Sequence, residues 1–299
     1  MRGFLNVDKP EGATSFDVVR AVRRAAHVKR VGHAGTLDPL ATGVLPVAVG
    51  EATRLIDALM DASKAYTVEI AFGVETTTDD AAGDMVAQAD AASLTEREVR
   101  DALARLVGRH SQTPPAFSAL KLRGVPAYRV AREGAPREMQ AREVVAHALR
   151  LRTFAAARAT VEVECGKGYY VRALARDLGR ALGVYGHVAA LRRTRVGPFR
   201  IERAVPLADA VRRLEASNVE GLLHAPDAVL ADWPAVILDA GEVRDARLGR
   251  AVAPEPLSGH VPEASTKARA YTADGLFVAQ VEAVEGGGWH PYRVFSDDT

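Results

Sequence analysis

One segment of the chain, Val31–Gly50, restricts its own conformation more than any other part of the sequence. Its letters, VGHAGTLDPLATGVLPVAVG, contain four glycines and two prolines. Glycine weakens helices and strands and proline removes a backbone donor, so ordinary helix or strand is excluded over His33–Thr42. A loop this rich in glycine usually lets the backbone approach another molecule closely. The segment therefore predicts a functional loop, in which Asp38, before Pro39, is the single carboxylate.

Common binding motifs do not match this loop. No Gly-Lys-Ser/Thr follows at the spacing of a phosphate-binding loop, and the glycines do not form the GxGxxG of a dinucleotide fold. A metal site is disfavoured because His33 and Asp38 lack a third and a fourth ligand. Taken alone, an aspartate before proline is more typical of an Asx turn than of a catalytic group. The loop by itself therefore leaves its chemistry open.

The first predicted helix follows Ser15, which is a good N-cap residue. Phe16, Val19, Val22 and Ala26 recur at near-helical spacing and predict the face that packs on the core.

A strand is predicted over Lys64–Gly73, where Tyr66, Val68, Ile70 and Phe72 alternate with smaller or polar residues. A helix is predicted to begin at a capping box of Thr95 and Glu98, and its buried face would contain Val99, Leu103, Leu106 and Val107. Periodicity further predicts strands over Glu143–Arg152 and Arg158–Cys165 and a helix over Val171–Leu182.

The stretch Ser111–Gly134 is predicted to be a long exposed loop with a short helix, since it contains three prolines and two glycines among basic and aromatic residues. Long loops in compact domains are usually functional.

The length of 299 residues suggests about two domains. Beyond Pro206 the chain becomes acidic, and Pro226 and Pro234 mark a linker before short apolar runs separated by turns. We therefore expect a first domain over residues 1–232 and a small β-rich domain over residues 233–299.

The compartment is predicted from what the sequence lacks. Cys165 is the only cysteine, which excludes an internal disulfide and a multi-cysteine zinc site. No apolar run approaches the roughly 18 residues of a membrane span, and the N-terminal letters MRGFLNVDKPEG contain no signal-peptide core. We expect a cytoplasmic protein with no membrane partner.

Basic residues are concentrated in three stretches although the net charge is only +1. Residues 20–30 carry five basic side chains and no acid, and residues 166–203 carry nine against two acids. Residues 119–142 carry six against two. Such stretches are typical of a patch that binds a phosphate backbone, but also of solvated helix faces. Charge favours a nucleic-acid partner without deciding it.

The string GHAGTLDPLATG resembles the catalytic motif of TruB-type RNA pseudouridine synthases. Four further motifs of that family appear in order: LNVDKPEGATSFDVV, KAYTVEIAFGVETTTDDAAGD, TPPAFSALKLRGVPAYRVAREG, and GKGYYVRALARDLGRALG followed by HVAALRRTRVGPF. The resemblance implies an α+β pseudouridine synthase fold with a central, antiparallel-rich mixed sheet. It also implies a small C-terminal PUA-like β domain.

The resemblance assigns three catalytic residues. Asp38 takes the place of the nucleophile, Arg172 that of the arginine paired with it, and Tyr66 that of the tyrosine that stacks on the target base. Whether the aspartate attacks C1′, attacks C6 or removes a sugar proton stays open. On the residues alone, Arg172 is equally a surface helix arginine and Tyr66 a core strand residue.

Substrate-binding residues also follow from the resemblance. Leu191 would pack on the base, His33 would lie near the flipped nucleotide, and Lys9 would brace the catalytic loop. RNA contacts are expected from Lys121, Arg123 and Arg129 in the insertion and from Arg192 and Arg193. The reaction breaks C1′–N1 and forms C1′–C5 without electron exchange, so we expect neither a metal nor a cofactor. The expected partner is the T-arm stem-loop of tRNA, bound by a monomer without a guide RNA and modified at uridine 55.

Two other functions compete with this hypothesis. A non-catalytic RNA-binding protein on the same scaffold is disfavoured by the intact Asp38, Tyr66 and Arg172 set. An unrelated hydrolase with an aspartate nucleophile is disfavoured by the basic stretches and by the lack of other catalytic motifs.

Overall fold

The computed structural model describes residues 1–117, 121–122, 125–126, 139–254, 263, 265–285 and 287–296. Its secondary structure is a mixture of short helices and longer strands. The strands of the first half are, in chain order, β1 (Gly3–Lys9), β2 (Val31–His33), β3 (Thr42–Val49), β4 (Lys64–Phe72), β5 (Val74–Thr76), β6 (Met85–Gln88), β7 (Gly108–Gln112), β8 (Lys121–Leu122) and β9 (Val125–Pro126).

The strands of the second half build the rest of the large sheet and a smaller C-terminal one. They are β10 (Arg142–Ala155), β11 (Arg158–Cys165), β12 (Gly186–Val196), β13 (Phe199–Arg200), β14 (Val205–Pro206), β15 (Leu223–His224), β16 (Ala235–Leu238), β17 (Lys267–Thr272), β18 (Phe277–Ala283) and β19 (Trp289–Val294).

The α-helices of the described residues are short and lie between the strands. They span Ser15–Ala25, Ile56–Asp61, Glu96–Arg105, Val171–Ala181, Leu207–Glu215 and Ala240–Arg247. Single 3₁₀ turns cover Gly50–Leu55, Ile201–Arg203 and Pro226–Leu230. Val171–Ala181 is called the arginine helix below, because Arg172, Arg176 and Arg180 lie one turn apart on it.

The central sheet has the order β14-β1-β3-β12-β4-β11-β10-β7 in the part of the chain that the structure describes. Its pairs are antiparallel except for β1 with β14 and β12 with β3. The strands β16-β17-β18-β19 form a separate C-terminal sheet. The expected α+β class with a large, antiparallel-rich mixed sheet is confirmed.

Two hydrophobic clusters enclose the central sheet. One contains the inward face of β4, with Val68 and Ile70, against Leu174 and Leu178 of the arginine helix. The other contains Phe4 of β1, which packs against Phe199, together with Phe277 and Phe295 near the chain end. The second cluster ties the C-terminal sheet to the outer side of the first strands.

The local predictions are largely confirmed. The strand Lys64–Phe72, the strand Arg158–Cys165 and the arginine helix lie where the hydrophobic pattern places them. The capping box of Thr95 and Glu98 is also present.

The prediction for the first helix is wrong in two details. Thr14, rather than Ser15, is the N-cap, and its side chain accepts from the backbone N–H of Asp17. Phe16 is 60% exposed, while Val18 is buried with Val19 and Val22. In the helix Glu96–Arg105, the inward face likewise ends before Val107, which is exposed. No helix among the described residues is both long enough and apolar enough to cross a membrane.

Gly43 marks the point where β3 meets β12 and offers a test of this packing. Its φ is +102°, and a Cβ at this position would collide with the backbone of Arg193. Gly108 has a similar φ of +97° but no heavy atom within 4 Å of such a Cβ. Gly108→Ala should therefore lose only the roughly 1–3 kcal/mol of backbone strain.

Gly43→Ala carries the same strain plus a backbone collision, and we expect it to lose at least about 2 kcal/mol more than Gly108→Ala. Urea unfolding of both variants measures the difference. Equal losses would contradict the close approach of the two strands.

Candidate active site

The pairing of β12 with β4 sets up the floor of a cavity. Arg193 lies opposite Tyr66 and Leu191 opposite Val68, so these side chains share one face of the sheet. Lys64 lies on the same face, two residues before Tyr66. A cavity of about 310 Å³ opens above them and is also lined by Asp38 and Arg172.

A larger cavity, of about 880 Å³, lies beside Phe72 and Phe154. Asp90 is its only ionisable lining residue in the described part of the chain. It therefore lacks the groups that a catalytic site needs, and the smaller cavity is the candidate active site.

The loop between β2 and β3 is held in place through backbone contacts on both sides of Asp38. Ser15 Oγ accepts from the Leu37 N–H at 2.8 Å and donates to the Leu37 carbonyl at 3.1 Å. On the other side, the Pro39 carbonyl accepts from the Gly12 N–H at 2.8 Å. Ser15 thus braces the loop instead of capping a helix, a role with no signal in the local sequence.

Asp38 and Arg172 form a side-on ion pair. Arg172 Nε lies 2.9 Å from Asp38 Oδ2, and Arg172 Nη2 donates to Oδ1 at 3.3 Å. The arginine side chain is 5% exposed and the aspartate side chain 35%. The expected pair is therefore present, with its carboxylate at the open side of the cavity.

The remaining donors of Arg172 are also used. They bind the carbonyls of Thr78 and Phe117, each at 2.8 Å, and Asp80 Oδ2 lies 3.6 Å from Nη1. A planar guanidinium held at three sides presents one fixed edge to Asp38.

The next two arginines of the arginine helix also pair with acidic residues beyond β4, one in the turn after β5 and one on β5 itself. Arg176 Nη1 lies 2.9 Å from Asp79 Oδ2, and Arg180 binds Glu75 through Nε at 2.8 Å and Nη2 at 2.5 Å. Burial raises the pKa of Asp79 to about 6, although the charge of Arg176 acts in the opposite direction. The spacing of the arginines is visible in the sequence, but their pairing is not.

Arg193 is located differently from the expectation that it contacts RNA. Its side chain is 1% exposed and donates to the carbonyls of Val44 at 2.7 Å, Gly35 at 3.0 Å and Thr36 at 3.4 Å. Tyr66 lies directly opposite it on β4. A guanidinium committed to these acceptors is not available to surface phosphates, and a contact of Arg193 with RNA stays a prediction for the cavity that it lines. Arg193 braces the loop and the cavity floor.

Tyr66 is buried in the main hydrophobic cluster and also lines the cavity. Burial raises the pKa of its hydroxyl, and Arg193 acts against that rise. The alternatives of a core tyrosine and a site tyrosine are thus both compatible with its position.

Lys9 is fully buried beneath the loop, as its expected bracing role requires. Its Nζ donates to the carbonyls of Ala13 at 2.6 Å, Pro10 at 2.9 Å and Pro39 at 3.4 Å. Burial lowers the pKa of Lys9 to about 8, and the nearby charge of Asp38 partly offsets this effect.

The other candidate residues are dispersed. Leu191 lines the cavity, whereas His33 is not among the lining residues. His33 is half-buried on β2, and its Nδ1 has no hydrogen-bond partner in the described structure. Arg192 points to the opposite face of β12 from Leu191 and binds Asp8 at 2.8 Å. Arg123, Arg129 and the side chain of Lys121 lie outside the described residues.

Comparison with known families matches this chain in two adjoining regions. Residues 23–171 match the N-terminal domain of the TruB family of pseudouridylate synthases, and residues 172–228 match the C-terminal domain of tRNA pseudouridylate synthase B. The first region contains the Asp38 loop and Tyr66, and the boundary falls beside Arg172. The chain belongs to the TruB family.

Full-length relatives agree with this assignment. The tRNA pseudouridine synthase B of Arthrobacter sp. (strain FB24) is 42% identical over 99% of this chain and 97% of its own length. That of Thermobifida fusca is 42% identical over 98% of each chain. That of Aromatoleum aromaticum is 44% identical over 84% of this chain and 81% of its own.

Solved structures support the fold. A chain of an H/ACA RNP bound to a substrate RNA containing 2′-deoxyuridine superposes with a TM-score of 0.74 at 23% identity, covering 98% of this chain and 85% of that one. A chain of a Cbf5-Nop10-Gar1 complex gives the same TM-score at 25% identity, covering 98% and 84%.

The lowered pKa of Lys9 predicts how stability depends on pH. Because the pKa falls from 10.5 to about 8 on folding, the unfolded chain binds more protons than the folded one between these values. The contribution of Lys9 to the free energy of unfolding should therefore rise with pH across this window, by up to about 3 kcal/mol.

In Lys9→Met this contribution is absent, so the stability difference between wild type and variant should shift in favour of wild type from pH 8 to 10.5. Urea unfolding at several pH values measures the difference. A pH-independent difference would contradict the burial of a titrating ammonium.

Proposed function

We propose that the chain converts the T-loop uridine of tRNA, at position 55, to pseudouridine, with Asp38 as the nucleophile and without a cofactor. The general activity, isomerisation of uridine to pseudouridine in tRNA, follows from family membership and from relatives that are about 40% identical over nearly the whole chain.

The observation that carries the proposal is the side-on Asp38–Arg172 pair at the edge of a cavity floored by Tyr66 and Leu191. A carboxylate fixed in one orientation is suited to a single, directed attack. An aromatic ring and an apolar side chain beside it can hold a planar base between them.

The target uridine has to leave its stack before Asp38 reaches the sugar, and flipping costs a few kcal/mol. Stacking on Tyr66 returns part of that free energy, since stacking on an aromatic ring contributes roughly 1–3 kcal/mol per base. Arg172 compensates the charge of the carboxylate and keeps it aimed at the opening. The geometry is compatible with attack at C1′, attack at C6 and removal of a sugar proton.

The insertion is linked to this chemistry through its first residues. Arg172 donates to the Phe117 carbonyl, and Arg176 donates to the Thr113 carbonyl at 2.7 Å. We infer that the insertion (111–134), with Lys121, Arg123 and Arg129, closes over bound RNA and that these two arginines fix where it starts.

Further RNA contacts are assigned to the surface around the site. Arg192 faces solvent on the outer side of β12, and His33 is the last residue of β2, directly before the Asp38 loop. We infer a catalytic domain over residues 1–232 and a PUA-like domain over residues 233–299 that extends this surface. An isolated T-arm stem-loop is a substrate, bound in the cytoplasm by a monomer without a guide RNA.

Asp38→Asn should abolish pseudouridine formation while tRNA binding is retained. The amide keeps the shape of the carboxylate and removes its charge, so nucleophilic attack is lost. Tritium release from C5-labelled uridine in tRNA measures turnover, and a filter-binding assay measures affinity. Asp61→Asn is the matched control, because Asp61 is an exposed partner of Lys167. Turnover near the wild-type rate in Asp38→Asn would refute the assignment.

Substitutions of Tyr66 separate stacking from the chemistry of the hydroxyl. Tyr66→Phe should keep RNA affinity and slow turnover, because the ring stays and only the hydroxyl is lost. Tyr66→Ala should reduce both, with binding weaker by about 1–3 kcal/mol. Tyr271→Phe, which loses a hydroxyl bonded to Asp227, is the control. If Tyr66→Ala left turnover on the stem-loop unchanged, Tyr66 would be a core residue only.

A further inference from the structure

Lys64 lies in the candidate active site without a role in the chemistry described so far. It is the first residue of β4 and shares the inward face of that strand with Tyr66. The residue is 9% exposed and lines the cavity together with Asp38 and Arg172. The sequence pattern marks Lys64 only as the first residue of a predicted strand.

The hydrogen bonds of Lys64 leave one of its three donors unused. Its Nζ donates to the carbonyls of Ala62 at 2.8 Å and Met60 at 3.1 Å. Within the described ranges, no carboxylate lies within 4 Å of this ammonium, since the nearby Asp61 binds Lys167 at 3.0 Å. A buried ammonium with a free N–H and no counter-ion is costly unless a ligand supplies the partner.

Positive charges outnumber negative charges in the cavity lining that the structure describes. Asp38 is the only carboxylate in the lining that the structure describes, and it is already paired with Arg172. Lys64 and Arg193 are therefore two neighbouring cations with no anion in contact. Burial and the charge of Arg193 together lower the pKa of Lys64 to about 8. The site is built to receive negative charge.

The isomerisation produces negative charge on the base itself. When the C1′–N1 bond breaks, its electron pair stays with the uracil and spreads over N1, O2 and O4. We propose that Lys64 is a catalytic residue whose free N–H donates to a carbonyl oxygen of the flipped base and stabilises this charge. The proton stays on the ammonium throughout. The electron pair is used when C5 bonds to C1′, and the hydrogen on C5 then leaves as a proton while N1 takes up one, which restores a neutral base. This inference rests on the proposed function.

Lys64 lies deep in the cavity, and this position favours the base over a phosphate as the partner of its free N–H. The residue Lys64 is 9% exposed, whereas the side chain of Asp38, which has to reach the sugar, is 35% exposed. A ring stacked on Tyr66 brings its carbonyl edge near the neighbouring side chains of that strand face. The phosphates stay with the RNA backbone at the opening.

The test compares Lys64→Met, Lys64→Arg and the control Lys167→Met on a T-arm stem-loop. Lys167 is an exposed lysine close to the same cavity. Single-turnover rates at saturating enzyme should fall about 10²–10³-fold in Lys64→Met, the usual loss when one oxyanion donor is removed. Lys64→Arg should recover part of the rate, Lys167→Met should equal wild type, and RNA affinity should change less than about threefold in all three.

A second substrate separates charge stabilisation from a structural effect. In an RNA with 5-fluorouridine at the target position, fluorine withdraws electrons and stabilises the base anion without help from the protein. Its consumption is followed by nucleoside digestion and mass spectrometry. The rate loss in Lys64→Met should be at least about tenfold smaller on this RNA than on uridine. An equal loss on both substrates would overturn the proposal.

The pH profile gives a third readout. Besides Arg193, the titratable groups near the ammonium are Asp61 and Cys165, and Asp61 acts to raise its pKa. The wild-type rate should fall above about pH 8 as the ammonium loses its proton, and Lys64→Met should lack this limb.

Weaker RNA binding with a lower salt dependence and an unchanged rate would show a phosphate contact and overturn the proposal. A wild-type protein inactive on the stem-loop would instead overturn the proposed function itself.

Discussion

Burial of the Arg193 guanidinium is the constraint on which the arrangement of the site depends. A buried cation without a carboxylate in contact needs hydrogen-bond acceptors for all its donors, because an unsatisfied charged group is costly. Carbonyls of β3 and of the loop before Asp38 supply them. One side chain of β12 thus holds the Asp38 loop and the neighbouring strand β3 in a fixed relation.

The arginine helix performs the corresponding task on the other side of the cavity. Its three arginines, one turn apart, pair with Asp38, Asp79 and Glu75. Ion pairs thus connect the helix to the Asp38 loop and to the segment after β4. The same guanidinium groups bind carbonyls at the start of the insertion. Arg172 therefore contacts both Asp38 and the start of the insertion.

Cations outnumber anions around the cavity, and this imbalance is informative about the reaction. Positive charge at the mouth of a site attracts RNA in general, but Lys64 and Arg193 are buried. Buried charge acts at short range and in a fixed direction, which is how protein groups stabilise charge that develops during a reaction. The cavity is accordingly more complementary to a charged intermediate than to neutral uridine.

The sequence by itself determined the elements whose signals are local. Alternation predicted the strand with Tyr66, and a capping box predicted the start of the helix at Glu96. The glycines and prolines predicted an irregular loop around Asp38. The motifs then identified Asp38 and Arg172, which the structure joins in an ion pair. These features depend on neighbours a few residues apart, where backbone propensity and side-chain spacing decide the outcome.

Only the tertiary structure decided which side chains are buried together. Arg192 and Arg193 look equivalent in the sequence, but the register of β12 on β4 sends one to solvent and the other to the interior. Ser15 looks like a helix cap, but Leu37, 22 residues away, takes its hydroxyl. Lys64 is only one more basic residue until the cavity shows that it lacks a counter-ion. Burial and pairing depend on strand register and long-range packing, which no local pattern encodes.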